Sequence, residues 1–120
     1  MNIPANLKYT KTHEWVKDLG NGLFEIGLSD YAQKQLGDIV FVNLPQPGDA
    51  ITDGQSFTDL ESVKAVSDIN SCVTGTIKEV NETLSSTPDS INKAPYDTWI
   101  IRVEGTLGAV LTAGEYEKTI

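Results

Sequence analysis

Apolar positions in this chain fall in short runs, separated by Gly, Pro, Asn and Asp. Residues 9–17 read as an early strand interrupted at Lys11 and Thr12. Asn21-Gly22 follows, a pair suited to the left-handed backbone of a two-residue hairpin turn. Residues 23–28 then form the returning strand. After that the period changes. Ser29 can cap a helix, Asp30 complements its positive first turn and Gly37 can end it, which predicts a short helix over 30–36.

Residues 39–44 are β-branched and aromatic, and stop at Pro45-Gln46-Pro47-Gly48. Short strands are expected again at 50–51, 56–60, 66–69 and 76–80, with Gly54 and Gly75 as punctuation. Turn signals at roughly 8–12-residue spacing predict a small sandwich or barrel, not parallel β-α-β units. Gly54 lies ten residues before Lys64 and Gly75 eleven after it, a rough mirror expected of two similar halves joined by a hairpin. Residues 81–94 are polar, contain Pro88 and read as a loop or broken helix. Residues 96–103 form the last strand, with Trp99, Ile101 and Val103 on one face and Ile100 and Arg102 on the other. Leu107, Val110, Leu111 and Tyr116 draw a partial helical stripe over 107–118, weakened by Gly108 and Gly114 at about 1 kcal/mol each relative to Ala.

The length of 120 residues, 39% of them hydrophobic, fits one domain over 1–120 with a single core. No apolar stretch approaches the length of a membrane span. Met1 to Asn6 lacks a basic start followed by an apolar run, so no targeting segment is expected in this chain. Seventeen acidic residues against nine basic ones give a net charge of −8. That excludes nucleic acid, whose phosphates need a basic face, and disfavours anionic membranes. The acid excess suits a protein that meets basic patches on its partners, and is equally an ordinary route to solubility. Cys72 is the only cysteine, which rules out an intrachain disulfide and a Cys-rich zinc site.

Enzyme chemistry finds little here. His13 and Cys72 are of the right types for a base and a nucleophile, but no local pattern joins them. Gly20-Asn21-Gly22 is too short for a phosphate loop and lacks a β-α context. One His among scattered carboxylates does not make a metal site. No catalytic residue and no metal are expected. A group carrier needs less: one reactive attachment residue, exposed and rigidly presented. Lipoamide and biotin are carried in this way. Ser62-Val63-Lys64-Ala65 sits between two strand-like runs, which puts Lys64 at a hairpin tip. Among eight lysines, and on spacing alone, a lysine that merely solubilises a turn accounts for the tetrad at least as well.

The surrounding residues shift that balance. Glu61-Ser62-Val63-Lys64-Ala65 with Ser67-Asp68 resembles the lipoylation segment of glycine cleavage H proteins. The resemblance covers nearly the whole chain. It takes in Thr12-His13-Glu14-Trp15-Val16, Asp30-Tyr31-Ala32-Gln33, Leu36-Gly37-Asp38-Ile39-Val40-Phe41-Val42 and Leu44-Pro45 with Pro47-Gly48. Beyond the lysine it includes Ser71, Gly75, Glu79-Val80-Asn81, Ile91-Asn92, Pro95-Tyr96, Trp99 and Glu115-Tyr116. Biotin carriers usually flank the lysine with methionines, and lipoyl domains of 2-oxoacid dehydrogenases typically place Asp before it. Here the flanks are Val63 and Ala65. Cys72 stands where the family often has Pro, an exchange expected to loosen the turn after Ser71. Gln35 stands where some members have His.

The resemblance implies a mainly β fold: a barrel-sandwich hybrid of two small antiparallel sheets with Lys64 at a hairpin tip, plus short helices including one near the C-terminus. It implies a non-catalytic carrier with lipoate amide-linked to Lys64 by a lipoylating enzyme. Glycine decarboxylase, which uses pyridoxal phosphate, loads an aminomethyl group onto the arm. The tetrahydrofolate-dependent aminomethyltransferase unloads it, and dihydrolipoamide dehydrogenase reoxidises the dithiol. The family setting is cytoplasmic in bacteria and the mitochondrial matrix in eukaryotes. Glu14 and Asp68 match positions near a cleft in which the loaded arm folds back. A carboxylate there gives a cationic amine a charge-assisted hydrogen bond, whereas two solvated strand-end acids account for the same residues equally well. A lipoyl-relay donor, or an unmodified interaction domain of the same fold, is the alternative reading.

Overall fold

The first hairpin closes where Asn21-Gly22 requires it: both residues take positive φ, 55° and 76°. In the computed structural model, which describes residues 1–120, this turn joins β2 (Glu14–Gly20) to β3 (Leu23–Leu28). β1 (Lys8–Tyr9) precedes them, and the chain leaves strand geometry at 10–13. α1 (Asp30–Leu36) begins with Ser29 Oγ accepting from the Ala32 amide and ends at Gly37 with φ 75°. β4 (Ile39–Val42), β5 (Ala50–Ile51), β6 (Ser56–Ser62), β7 (Val66–Asn70) and β8 (Val73–Val80) follow. The polar stretch after β8 is a broken helix, a 3-10 turn at Glu82–Ser85 and then α2 (Ser90–Lys93). β9 (Ile101–Leu107) and α3 (Ala113–Glu117) complete the chain.

The strands form two antiparallel sheets, ordered β1-β2-β3-β9-β8-β5 and β4-β6-β7. This is the expected mainly β hybrid with short helices. Val16, Phe24, Ile26, Leu60, Ile69, Ile77 and Val103 belong to one buried apolar cluster drawn from both sheets. Each such side chain, fully buried, stabilises by about 1.5–3 kcal/mol. A smaller cluster of Leu7, Tyr9, Trp15 and Tyr116 holds the two ends of the chain together. The Tyr9 and Tyr116 rings stack at 4.7 Å, and the Tyr116 hydroxyl lies 2.7 Å from Ser29 Oγ and 2.9 Å from His13 Nδ1. No helix is long and apolar enough to cross a membrane.

Three expectations need correction. Gly75 does not punctuate strands but lies inside β8, where a β-carbon would stand 2.0 Å from the Glu104 carbonyl oxygen of β9. Its small size serves close backbone approach, whereas Gly54, at φ 84°, does sit in a turn. The mirror spacing about Lys64 therefore joins two glycines with different jobs. The last strand starts at Ile101, and Trp99 is not on the Ile101–Val103 face: the Arg102 guanidinium stacks 4.0 Å above its ring. The helix expected over 107–118 is confined to α3, because Leu107 still belongs to β9 and Leu111 bridges to Tyr9. A capping box between Thr112 and Glu115 sets the true start. The turn at Cys72 is held by the Ser71 side chain. Ser71 Oγ accepts from the Val73 amide at 3.0 Å and donates to its carbonyl at 2.6 Å, with all three residues buried.

Candidate functional site

Lys64 is exposed in the turn that joins β6 to β7. Ser62 organises this turn. Its amide donates to the Ala65 carbonyl at 2.8 Å, and its Oγ accepts from the amides of Lys64 and Ala65 at 3.2 and 3.1 Å. A hydroxyl that satisfies turn amides replaces water there and narrows the backbone's choices. The Lys64 side chain is left outside this network and takes part in none of the chain's ion pairs. Glu61 lies opposite Phe41 on one side and Val66 on the other. Phe41, Val63 and Val66 are 52%, 65% and 66% exposed, so the lysine emerges beside apolar side chains with a carboxylate among them.

The tip does not stand free. The Val63 amide donates to the Asp38 carbonyl at 3.0 Å, tying the turn to the corner between α1 and β4. A β-carbon at Gly37 would lie 3.4 Å from Lys64 Cε and from Val63 Cγ2, so the lysine stem rests over a residue that has no side chain.

Glu14 opens β2 and is only 1% exposed. One carboxylate oxygen accepts from the Thr10 and Thr12 hydroxyls, each at 2.5 Å, and the other from the Asn70 amide at 3.3 Å. Burial raises its pKa, and these hydrogen bonds offset part of that rise. Thr10, Thr12 and Asn70 line a cavity of about 330 Å³, together with Ser71, Cys72 and Leu111. Glu14 thus stands behind the cavity wall, in contact with three of its lining residues. Asp68 is exposed on β7, opposite Asp59. It shares a strand face with Asn70 and lies between the lysine tip and the cavity along β7. The five residues of that strand cover roughly 13 Å, at ~3.3 Å per step. The structure therefore gives Glu14 and Asp68 different surroundings, one enclosed and one open.

His13 and Cys72 do not meet. His13 Nδ1 bonds Tyr116, and burial lowers the imidazole pKa. Burial, with the Glu14 and Asp53 carboxylates nearby, pushes the Cys72 thiol up to about 12. It stays protonated, and so a poor nucleophile, at neutral pH.

Thr10 and Thr12 as Glu14 partners, the Asp38 carbonyl and the Asn92 side chain are functional groups that the sequence expectations do not include. The two threonines stand near Glu14 in sequence, and a buried carboxylate needs donors, so that signal was available. The other two act across long loops and leave no local trace.

Comparison with known proteins identifies the family and the fold. The model of the glycine cleavage H-protein family matches residues 7–120. A glycine cleavage system H protein of Listeria monocytogenes serotype 4a is 49% identical over 125 aligned positions, covering 100% of this chain and 99% of the relative. One from Lachnoclostridium phytofermentans is 52% identical, covering 100% and 96%. The crystal structure of a glycine cleavage system H protein from Mycobacterium marinum superimposes with a TM-score of 0.90 at 36% identity, over 97% of each chain. With a family match over nearly its full length and this depth of identity, the chain belongs to the glycine cleavage H-protein family.

Proposed function

We propose that Lys64 is the attachment point for lipoate, joined as an amide through Nζ, and that the loaded arm lies along β7 with its end in the cavity beside Glu14. Family membership makes the chain a lipoyl carrier of the glycine cleavage system. The observation that carries the Lys64 reading is an exposed amine without a counter-ion, on a turn whose backbone groups are already satisfied by Ser62. Acylation needs a free amine, and a lysine held in a salt bridge would first have to leave it. The residues fit the group: the stem has clearance over Gly37, and β7 leads from the tip to a cavity lined by both polar and apolar residues.

When bound, lipoate supplies a disulfide that opens reductively as the aminomethyl cargo is taken up. The chain's own residues do the rest. Ser62 fixes the direction in which the lysine leaves. Glu61, Val63 and Ala65 form the surface that a lipoylating enzyme meets. Thr10, Thr12 and Asn70 offer hydrogen bonds at the cavity, and the Glu14 charge behind them favours a cationic amine. Asp68 adds a second negative charge along the path. Tethering keeps the cargo at high effective concentration for each partner in turn: glycine decarboxylase, the aminomethyltransferase and dihydrolipoamide dehydrogenase.

Peptide mapping after incubation with a lipoylating enzyme, lipoate and ATP tests the attachment. One lipoyl mass on the peptide containing Lys64 is expected. The same mass on any other lysine overturns the reading.

A further inference from the structure

The only bond from the turn residues 63–65 to the rest of the protein outside their own hairpin is that of the Val63 amide to the Asp38 carbonyl. Where that carbonyl points is set by the corner Gly37-Asp38, and the corner is gripped from outside by one side chain. Asn92, on α2, donates through Nδ2 to the Gly37 carbonyl at 2.9 Å and to Gln33 Oε1 at 3.0 Å. Its Oδ1 accepts from the Ile39 amide at 2.9 Å. The amide orientation is unambiguous, because a flip would set its donors against the Ile39 N–H and its acceptor against two oxygens. Both flanks of Asp38 are therefore held by the same planar group, and Gln33 is itself fixed by donating to Asp30 at 2.7 Å.

We infer that Asn92 is a positioning residue for Lys64: through Gly37, Asp38 and Val63 it fixes where the hairpin tip presents the amine. The inference rests on Lys64 being the attachment site. Gly37 is part of the device in a second way. Its φ of 75° suits the corner, and its missing side chain lets Lys64 Cε and Val63 Cγ2 settle against the backbone that Asn92 holds. An enzyme that must bring an activated acyl group onto this amine gains from a tip already in place. Misplacement of a reacting group by about 1 Å can cost on the order of 100-fold in rate.

The test combines amide hydrogen exchange with two ways of acylating the lysine. In the wild-type chain, the Val63 amide should exchange slowly although its side chain is exposed. In Asn92→Ala it should exchange faster, while the core amides of Ile77 and Val103 stay slow. Enzymatic lipoylation of the variant should then fall on the order of tenfold or more in kcat/KM. A small amine-reactive ester, which needs no oriented tip, should acylate Lys64 at the wild-type rate. A Val63 amide that exchanges freely in the wild-type chain overturns the clamp, and this readout decides the matter even if Asn92→Ala fails to fold. Lipoylation of a folded Asn92→Ala at the wild-type rate also overturns it. A wild-type chain that takes no lipoyl group at Lys64 overturns the attachment reading instead, and the Val63 amide still decides the clamp.

Discussion

Asp59 and Asp68 stand directly opposite each other across the β6–β7 ladder, with their side chains on the same outer face. Neither is in an ion pair. Like charges placed this way oppose strand pairing, so Asp68→Asn is expected to raise stability by about 0.2–1 kcal/mol. The gain should shrink with added salt, which screens exposed charges. Urea denaturation at low and high salt measures it. A loss of stability at low salt contradicts the reading.

Asp68 also lies along the proposed path of the arm, on β7 between the lysine tip and the cavity. If Asp68 and Glu14 hold the cationic cargo, Asp68→Asn and Glu14→Gln should each release the aminomethyl group faster when folate is absent. The effect should be larger for Glu14, whose charge acts through the cavity wall from a setting shielded from water, than for exposed Asp68 at ~0–1 kcal/mol. Decay rates equal to wild type in both variants would leave the two acids with no part in holding the arm.

Glu14 also predicts a pH dependence of stability. Burial raises its folded-state pKa above the unfolded value of about 4.3. Between the two values the folded chain binds more protons than the unfolded one, so stability falls as pH rises. The contribution is complete below the unfolded pKa and is lost as pH climbs through the raised one. Glu14→Gln does not titrate. Wild type should therefore lose stability relative to Glu14→Gln as pH rises from the unfolded value through the raised one, as read by denaturation at a series of pH values. Parallel profiles contradict the shift.

Gly75→Ala should be severely destabilising. Its β-carbon would lie 2.0 Å from the Glu104 oxygen and 2.8 Å from Gly105 Cα, and both are backbone atoms that no rotamer change can move. The cost should reach or exceed the upper end of the ~1–3 kcal/mol typical of overpacking. A thermal midpoint close to wild type would show that β8 and β9 can part without penalty.

Elements set by local chemistry were legible in the sequence. Asn21-Gly22 announced its turn, and Ser29 and Gly37 marked both ends of α1, because a cap or a left-handed turn depends on residues a few positions apart. Gly75 was misread for the opposite reason. A glycine answers either to φ or to a close neighbour, and the neighbour here is β9, some thirty positions on. The stripe from Leu107 to Tyr116 suggested one helix because apolar periodicity does not register that Leu111 pairs with Tyr9, although Thr112-x-x-Glu115 carried the correct start. At the site, the exposure of Lys64 followed from a tetrad between two strands. The enclosure of Glu14 did not follow, since its Asn70 partner lies 56 positions away. The corner that supports the tip joins residues 33, 37, 38, 63 and 92, a meeting that only the folded chain displays.

Lys64→Arg tests the central claim most directly. Arginine keeps the charge and most of the length at an exposed turn, where stability normally changes by no more than about 0.5 kcal/mol. Acylation needs a neutral amine, which lysine provides by losing a proton, whereas the guanidinium stays protonated with a pKa above ~12. Intact mass after incubation with a lipoylating enzyme, followed by reconstituted glycine decarboxylation with the partner enzymes, gives the answer. The wild-type chain should gain one lipoyl mass and sustain turnover, and the folded Lys64→Arg chain should do neither despite its seven remaining lysines. An arginine variant that still gains the mass and supports turnover would show that Lys64 is not where the arm is attached.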